Sequence, residues 1–336
     1  MEVRKWSGWI GAMVLAASAT ATVQAQSAAH AARAKPLRLQ GAGWTLVDLG
    51  TLGGPGSYAT AVTNAGLVVG CSDVAGAGTH AFVYQSGVMR DLGTGTDSAS
   101  GNSCAYAAND TGTIAGRAAS GELVEWTSAG VTHLGIQGAV GDINADGVLV
   151  GSYNNGAFTR AFSYQNGLVK DLGNLGTNAS SASSANAINE QGQIVGNSNG
   201  HAFLYENGTM RDLGTLGGAS SIAKGINDKG EIVGMAGDVN GAPTPFAYTA
   251  SMQALPAPAY SAAIAVNQRG QVIGSGEGIY GYLVENGAMT RLDTIPAVTA
   301  KGWRHLEPTG INDRGWIVGT ATTPTGDLRA FLLVPN

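Results

Sequence analysis

Side chains able to act as acids or bases are scattered along the chain. Polysaccharide lyases and hydrolases move protons with carboxylates and histidines, and the irregularly placed examples here are Glu122, Asp238, Glu277, Glu307 and His305. Such chemistry needs convergent groups whose environments separate their pKa values, and no motif brings these five together. An enzyme of this class, probed through those five residues, is therefore the second hypothesis for function.

Other acids recur once per repeat. Asp91, Asp171 and Asp212 each begin an Asp-Leu-Gly run, and a carboxylate that recurs in this way is expected to accept backbone hydrogen bonds at a strand end. Asp142 to Gly147 is similar to the start of a calcium loop, but its later positions lack oxygen ligands. No His-x-x-x-His or Cys-x-x-Cys pair occurs. We therefore predict no metal, no cofactor and no catalytic residue.

One nine-residue pattern dominates the chain after residue 43. It consists of an apolar residue, Asn, two polar residues, Gly, an apolar triplet and a second Gly. Thr replaces the Asn in the first of the seven copies, whose anchor residues are Thr63, Asn109, Asn144, Asn189, Asn227, Asn267 and Asn312. A loose period near forty residues indicates a repeat architecture.

Each repeat carries two hairpin signals. The Asn-x-x-Gly element suits a type I turn, and an Asn-Gly pair, as at Asn207-Gly208, is the strongest short hairpin signal. Two hairpins give four short strands per forty residues, the spacing of a β-propeller blade. The sequence therefore predicts an all-β fold of seven four-stranded blades, with an open β-solenoid as the alternative.

The two ends of the repeat region complement each other. The last repeat stops after its third strand, at Ala330 to Val334, and the segment Trp44 to Gly50 is an orphan copy of the missing fourth strand. Pairing these two segments would close the ring and leave no repeat incomplete. A closed ring of seven blades is the expectation, formed by a single domain over residues 44–336.

The N-terminus has the pattern of an export signal. Arg4 and Lys5 precede an apolar run, and small residues lead to Ala25, so we predict a signal peptide over 1–25 and a flexible leader over 26–43. No apolar run is long enough for a transmembrane helix. A net charge of −5 with 18 Lys and Arg argues against nucleic acid as a partner. The expectation is a secreted or periplasmic monomer.

The two cysteines fall in neighbouring repeats. Alternation along antiparallel strands places Cys71, which follows a second strand, on the same side of the ring as Cys104, which precedes a first strand. An exported protein meets an oxidising compartment, so we predict a Cys71–Cys104 disulfide. Two separate thiols are the alternative.

The repeats resemble the HAF family of bacterial extracellular repeat proteins. The His-Ala-Phe triplet occurs at His80 and His201, and an Asp-Leu-Gly-Thr-Leu-Gly-Gly run begins at Asp48 and at Asp212. Other repeats depart from the triplet, for example with Arg160 or Arg329 in place of the His. The resemblance implies export and a repeated architecture, and it implies no catalytic residues.

Variable connections are expected on one face of the ring. The longer connections follow the second and fourth strands, at 72–79, 94–103, 235–245, 293–308 and 320–329. Loops on a rigid scaffold commonly carry binding residues. The irregular aromatic and histidine side chains predicted to bind a ligand there are Tyr58, Tyr106, Tyr153, Tyr260, Tyr280, Trp303 and His305. Packing between blades is the alternative role for each.

The leading functional hypothesis is a binding scaffold for an extracellular polysaccharide or protein. A strong repeat signal without a convergent group of titratable residues favours it. The enzyme named above is the second hypothesis, because a fold does not decide function. A structural component of the cell envelope or matrix is the third.

Overall fold

A computed structural model describes residues 43–76, 78–98, 100–176, 181–276 and 280–336. The predicted signal peptide at 1–25 and nearly all of the leader at 26–43 lie outside the described residues. The described chain is built almost entirely from short antiparallel strands. Their bounds follow the four-strand repeat that the sequence predicts.

The first three blades are formed as follows. Blade 1 contains β2 (Gly53–Val62), β3 (Val68–Val74), β4 (Gly78–Gln85) and β5 (Val88–Asp91). Blade 2 contains β6 (Cys104–Ala108), β7 (Ile114–Arg117), β8 (Glu122–Thr127) and the first half of β9 (Gly130–Ile143). Blade 3 contains the second half of β9, β10 (Leu149–Asn154), β11 (Thr159–Gln165) and β12 (Leu168–Asp171).

The next three blades each form a separate sheet. Blade 4 contains β13 (Ser183–Ile188), β14 (Ile194–Ser198), β15 (His201–Glu206) and β16 (Thr209–Asp212). Blade 5 contains β17 (Gly217–Ile226), β18 (Ile232–Asp238), β19 (Pro243–Tyr248) and β20 (Met252–Ala254). Blade 6 contains β21 (Ser261–Val266), β22 (Val272–Gly276), β23 (Tyr280–Glu285) and β24 (Ala288–Arg291).

Blade 7 unites the two ends of the described chain. It contains β25 (Arg304–Ile311), β26 (Ile317–Thr322), β27 (Leu328–Pro335) and, as its fourth strand, β1 (Trp44–Asp48). The register pairs Leu46 with Leu333 and Asp48 with Phe331. The first strand therefore completes the last blade, as predicted, and the fold is a seven-bladed β-propeller.

Blades 2 and 3 are joined without a loop. The sheets comprise five of four strands and one of seven, because the single strand β9 is both the outer strand of blade 2 and the inner strand of blade 3. The repeat that ends in His133-Leu134-Gly135, instead of Asp-Leu-Gly, runs directly into the next blade. The sequence pattern did not reveal this continuity.

The turns have the predicted geometry. Asn166, Asn207 and Asn286 all have φ near +52°, and each is followed by a glycine with positive φ, as a two-residue hairpin turn requires. At the other turn, the Gly112 N–H donates to the Asn109 carbonyl at 3.1 Å. The Asn109 Oδ1 also accepts the Thr113 N–H, so the anchor residue closes its own turn.

The second glycine of the pattern is required by a β-bulge. The first strand of every blade carries a bulge three residues before its anchor. At this bulge the backbone of the first strand lies close against the second strand of the same blade. A Cβ on Gly196 would overlap the Ser184 carbonyl oxygen, and one on Gly70 would overlap that of Tyr58. The same steric limit holds at Gly116, Gly151, Gly234, Gly274 and Gly319.

The core lies between the blades. One cluster packs Val69 and Ala81 of blade 1 against Val124 and Trp126 of blade 2, and a disulfide joins the same two blades. The bridge connects Cys71 to Cys104 across 33 residues, as predicted. Both cysteines lie within strands rather than beside them, because β3 continues past Cys71 and β6 begins at Cys104.

Candidate binding face

The two faces of the ring differ in their connections. We call "turn face" the side that carries the turns between strands one and two and between strands three and four of each blade. The opposite side, the "loop face", carries the connections from strand two to three and from each blade to the next. The connections from strand two to strand three are two to five residues long. The connections from one blade to the next range from no residues, where β9 runs through two blades, to twelve residues. Length variation is thus concentrated between blades.

Three of the predicted long loops are at least half strand. The segments 72–79, 235–245 and 320–329 were expected as connections, but β3 extends to Val74, β18 to Asp238 and β26 to Thr322. The small and polar residues there continue the ladder in pairs such as Ser72 with His80. The inter-blade segments 92–103 and 292–303 are the two longest connections.

Trp303 belongs to the core. The connection 292–303 forms a 3-10 turn (Leu292–Thr294) and a four-residue helix (Pro296–Thr299). Its apolar residues pack inward with Leu46 and Leu306, and Trp303 is only 7% exposed within that cluster. The prediction that Trp303 presents its ring to a ligand on the loop face is therefore wrong. The Trp303 indole is instead part of the apolar core beneath the connection 292–303.

Tyr260 and His305 occupy equivalent positions in blades 6 and 7. Each stands seven residues before its anchor, at the loop-face end of an inner strand, with φ of +61° and +54° respectively. The left-handed conformation costs a residue with a Cβ about 1 kcal/mol. The Tyr260 N–H donates to the Pro243 carbonyl at 2.6 Å, which helps to fix this backbone, and the His305 side chain is exposed. Strain retained twice at one rim is a feature of functional positions.

The other two loop-face tyrosines have distinct environments. The Arg291 guanidinium lies 4.0 Å from the centroid of the Tyr280 ring, and its Nε donates to Asp293 at 3.0 Å. The Tyr153 ring packs edge-on against Phe162 with centroids 5.8 Å apart. Burial and the neighbouring Asp171 raise the pKa of Tyr153. Both rings remain partly exposed.

Tyr58 and Tyr106 lie on the inner strands of blades 1 and 2. The inner strand is the first strand of each blade, and it pairs with a neighbouring strand along one edge only. The residue at its bulge is half-buried in all seven blades, whereas the residue before the bulge is buried in six of them. We call these seven residues the bulge ring: Thr60, Tyr106, Gly141, Asn186, Lys224, Ile264 and Thr309. Tyr58 stands two residues before its bulge, on the same side of the strand. Burial raises the pKa of both phenols.

Bulge-ring side chains connect adjacent blades. The Thr60 hydroxyl donates to the Ala105 carbonyl at 2.9 Å, and the Thr309 hydroxyl donates to the Ala59 carbonyl at the same distance. Asn186 Nδ2 donates to the Ala223 carbonyl at 2.7 Å. These bonds join inner strands around the axis. They show that these three bulge-ring side chains reach the inner strand of the adjacent blade.

The turn-face mouth of the channel is acidic. The residue after an anchor forms a hydrogen bond with the corresponding turn of the next blade. For example, the Glu190 N–H donates to the Asp228 carboxylate at 2.9 Å. Burial raises the pKa of Glu190, and the nearby charges of Asp228, Asp146 and Asp110 add to that effect. Carboxylates from several blades therefore crowd around this mouth.

Asp142 replaces a small residue of the repeat at the inner strand of blade 3. Its two carboxylate oxygens accept the N–H groups of Ile143 and of Ile188 in the next blade, at 2.8 and 3.3 Å. Burial raises its pKa to about 6, partly offset by those two bonds and reinforced by Glu190. The sequence pointed to this segment only as an incomplete calcium loop.

The proposed acids and bases do not converge. Glu122 in blade 2 binds the His133 Nδ1 at 2.9 Å and the Gly135 N–H, and Asp238 in blade 5 accepts two N–H groups of its own turn. Glu307 and His305 lie in blade 7, and Glu277 lies outside the described residues. Among the part of the chain that the structure describes, no three His, Cys, Asp or Glu side chains are placed to hold a metal ion.

The recurring aspartates have the predicted structural role. Asp91, Asp171 and Asp212 each accept the N–H of the glycine two residues later, at 2.7–2.8 Å. Two of them also hold the histidine of the triplet, because His80 and His201 direct Nδ1 to Asp91 and Asp212. These histidine pairs belong to the repeat.

No helix within the described ranges is long and apolar enough to cross a membrane.

Comparisons with known proteins identify no family. No family model and no curated protein matches the chain. Among solved structures, a gluconolactonase of Xanthomonas campestris shares 11% identity over 89% of this chain and 91% of its own, with a TM-score of 0.43. The Aleuria aurantia lectin, solved with a fucosylated N-acetylglucosamine, shares 9% identity over 88% of this chain and 94% of its own, with a TM-score of 0.34.

Proposed function

We propose that this protein is an exported, non-enzymatic binding scaffold whose loop face takes an extracellular polysaccharide or protein. The observation that carries the proposal is the contrast between the two faces. The turn face carries a near-identical anchor turn in each of the seven blades, whereas the inter-blade connections on the loop face vary from none to twelve residues. Variable loops on a rigid frame are where binding residues concentrate.

The chemistry of the rim favours a saccharide. Tyr260, just before the first strand of blade 6, and Tyr280, in its third strand, are partly exposed, and Arg291 and Asp293 supply charged hydrogen-bonding groups beside Tyr280. Aromatic rings with polar neighbours suit stacking on sugar rings combined with hydrogen bonds to hydroxyls. The positive φ of Tyr260 and His305 sets the direction in which each side chain leaves the backbone, and the His305 side chain is exposed.

Export and family membership belong to the proposal. The Cys71–Cys104 disulfide is of a kind that persists in oxidising compartments, which supports the predicted signal peptide. A repeat that resembles the HAF type, with one copy in each blade, fits a secreted protein. The separated carboxylates favour binding over polysaccharide cleavage.

The experiment is retention on immobilised polysaccharides. Purified mature protein is passed over a panel of neutral and acidic bacterial and plant polymers, and both retention and new chain ends are measured. Retention without chain ends supports the proposal. New chain ends would replace it with the lyase or hydrolase hypothesis, and loss of retention on every polymer would exclude the polysaccharide ligand.

A matched set of tyrosine variants locates the binding face. Tyr260→Ala and Tyr280→Ala should each weaken retention about tenfold, the usual cost of removing an aromatic contact in a binding site. Tyr164→Ala is the control, because Tyr164 lies at the turn-face end of β11. Equal losses in all three variants would contradict the assignment to the loop face.

A further inference from the structure

The face of blade 3 that is turned toward blade 2 lacks a cover that other blades have. In blade 1, the connection from the preceding blade lies over the second strand, where the Leu52 N–H donates to Ser72 Oγ at 2.8 Å. In blade 4, the Leu175 N–H donates to Ser198 Oγ at 3.0 Å in the same way. Both serines are fully buried. β9, which the structure describes throughout, passes directly from blade 2 into blade 3, so no inter-blade connection lies at this position.

Tyr153 occupies the position of these two serines. It stands two residues after the second glycine of its repeat, as Ser72 and Ser198 do, but its side chain is partly exposed. Its ring packs edge-on against Phe162, in an apolar cluster that also contains Leu123 of blade 2. Tyr153 therefore lies at the loop-face end of the junction between blades 2 and 3, where solvent reaches it.

Three further side chains lie beside Tyr153 on the same face of blade 3. Arg160 is its cross-strand partner, and the Arg160 guanidinium carbon lies 6.0 Å from the centroid of the exposed Phe158 ring. The Tyr153 hydroxyl lies 3.5 Å from Oδ2 of Asp171, which is also exposed. We call Tyr153, Phe158, Arg160 and Asp171 the blade-3 cluster.

Backbone and side-chain hydrogen bonds hold this cluster in place. Asn155 Oδ1 accepts the Phe158 N–H at 2.9 Å, and the Asn155 N–H donates to the Phe158 carbonyl at 3.1 Å. Arg160 is buried beneath the cluster and donates to the Ser181 carbonyl at 2.8 Å. The turn that carries Phe158 is therefore ordered before any ligand binds, which lowers the entropic cost of binding.

The exposed groups of the cluster match the chemistry of a sugar ring. Aromatic rings contact the apolar C–H face of a pyranose, and a carboxylate accepts hydrogen bonds from its hydroxyls. Asp171 Oδ1 accepts the Gly173 N–H at 2.8 Å, whereas Oδ2 is directed toward the Tyr153 hydroxyl. The exposed carboxylate would repel an acidic sugar, because like charges in close proximity disfavour binding. The cluster therefore favours a neutral sugar.

We propose that Tyr153, Phe158 and Asp171 form a subsite for one neutral hexopyranose at the loop-face junction of blades 2 and 3. The apolar side of the sugar packs on the aromatic rings, and its hydroxyls donate to Asp171 and accept from the Tyr153 hydroxyl. This inference rests on the proposed function, because both assign binding to the loop face. It adds a contact region separate from Tyr260 and Tyr280.

Retention on immobilised dextran, galactan and mannan tests the subsite with variants that the repeat accepts. Tyr153→Ser installs the residue found at this position in blades 1 and 4, and Asp171→Asn keeps the oxygen that accepts the Gly173 N–H. Each should weaken retention about tenfold, as expected for a residue at the centre of a binding site. Asp212→Asn is the matched control, because Asp212 accepts the Gly214 N–H in blade 4, and it should leave retention unchanged.

Chemical protection locates the sugar without a variant. Wild-type protein is nitrated with limiting tetranitromethane in the presence of methyl glucoside, methyl galactoside or methyl mannoside, and each tyrosine is followed by mass spectrometry. At least one glycoside should slow nitration of Tyr153. Nitration of Tyr164, at the turn-face end of β11, should be unchanged.

The outcomes separate the subsite from the proposed function. Retention that falls in Tyr260→Ala but not in Tyr153→Ser or Asp171→Asn overturns the subsite and leaves the proposed function intact. Protection of Tyr153 by a glycoside without retention on any polymer supports the subsite and excludes the polysaccharide ligand. Protection of Tyr153 by galacturonate alone overturns the assignment to a neutral sugar, and absence of both retention and protection overturns the subsite together with the polysaccharide ligand.

Discussion

The Asn312 side-chain amide donates to the Thr63 backbone carbonyl at 2.9 Å and so fastens the last blade to the first. The same bond occurs between other adjacent anchors, because each asparagine reaches the carbonyl of the anchor in the next blade. These bonds run from Asn109, Asn144, Asn189, Asn227 and Asn267. The repeated asparagine therefore serves two purposes, since its Oδ1 closes the local turn and its Nδ2 links neighbouring blades.

Thr63 leaves one gap in this ring of hydrogen bonds. Its hydroxyl accepts the Leu67 N–H at 3.3 Å but has no amide to donate to the carbonyl of Asn109. Thr63→Asn should therefore add one buried hydrogen bond and stabilise the protein by about 1 kcal/mol. The measurement is the denaturant midpoint of unfolding. A lower midpoint would mean that the first turn has no room for the amide.

Removing an existing link should have the opposite sign. Asn227 accepts the N–H groups of Lys229 and Glu231 at 3.0 Å and donates to Asn267 at 3.0 Å. Asn227→Ala leaves these buried groups unsatisfied, so we expect a loss of about 2–3 kcal/mol. Asn240→Ala, at an exposed loop position, is the control and should change stability by less than about 0.5 kcal/mol. Equal losses of stability in the two variants would show that the hydrogen bonds of Asn227 do not stabilise the fold.

The repeat was readable because its turns are local. Asn-Gly pairs and the Asn-x-x-Gly turn depend on short-range backbone chemistry, and the regular repeat that they mark exposed the orphan strand at Trp44; each predicted the strand pattern correctly. The sequence did not predict the environment of the side chains at the bulges of the inner strands. Lys224 occupies a position that is Thr, Tyr, Gly, Asn or Ile in other blades, and only the structure shows that a bulge places it, half-buried, on the inner strand of blade 5.

The predicted role of Trp303 was wrong because the sequence did not reveal its burial. The sequence identified it as irregular, and irregularity alone does not distinguish an exposed ring from one that fills a long connection. Ser103 was missed for a similar reason. Its hydroxyl donates to the Gly93 carbonyl at 2.6 Å and accepts the Ala81 N–H at 2.8 Å, contacts that depend on the packing of two blades.

Glycine at two kinds of position should respond differently to alanine. At Gly196 the added methyl would overlap the Ser184 carbonyl, so Gly196→Ala should cost more than about 3 kcal/mol through displaced backbone. Gly208 has open space but φ of +80°, so Gly208→Ala should cost about 1 kcal/mol. Thermal unfolding of both variants checks the order. The reverse order would contradict the bulge as the reason for the second glycine.

The disulfide should contribute to stability through the unfolded state. Cys71 and Cys104 close a separation of 33 residues, and the loop-entropy model gives about 3–4 kcal/mol for such a loop. We expect Cys71→Ser with Cys104→Ser to lower the free energy of unfolding by that amount. The control is wild-type protein unfolded under reducing conditions, which should match the double variant. Two titratable thiols in denatured, unreduced protein would contradict the bridge.

Asp142 should make stability depend on pH. Its pKa rises to about 6 in the folded protein, above the usual value for aspartate, so the folded state holds its proton more tightly than the unfolded state. Stability from this group is complete below about pH 4 and decreases as the pH rises through about 6, by at most about 3 kcal/mol. Asp142→Ala places at this position the residue found at 61, 107, 187 and 265, and should remove that decrease. Free energies of unfolding at pH 4, 5, 6 and 7 for both proteins give the test, since only their difference isolates Asp142 from the other titrating groups. An Asp142→Ala variant that loses stability with rising pH as steeply as the wild type would show that Asp142 titrates normally and that its bonds to Ile143 and Ile188 outweigh its burial.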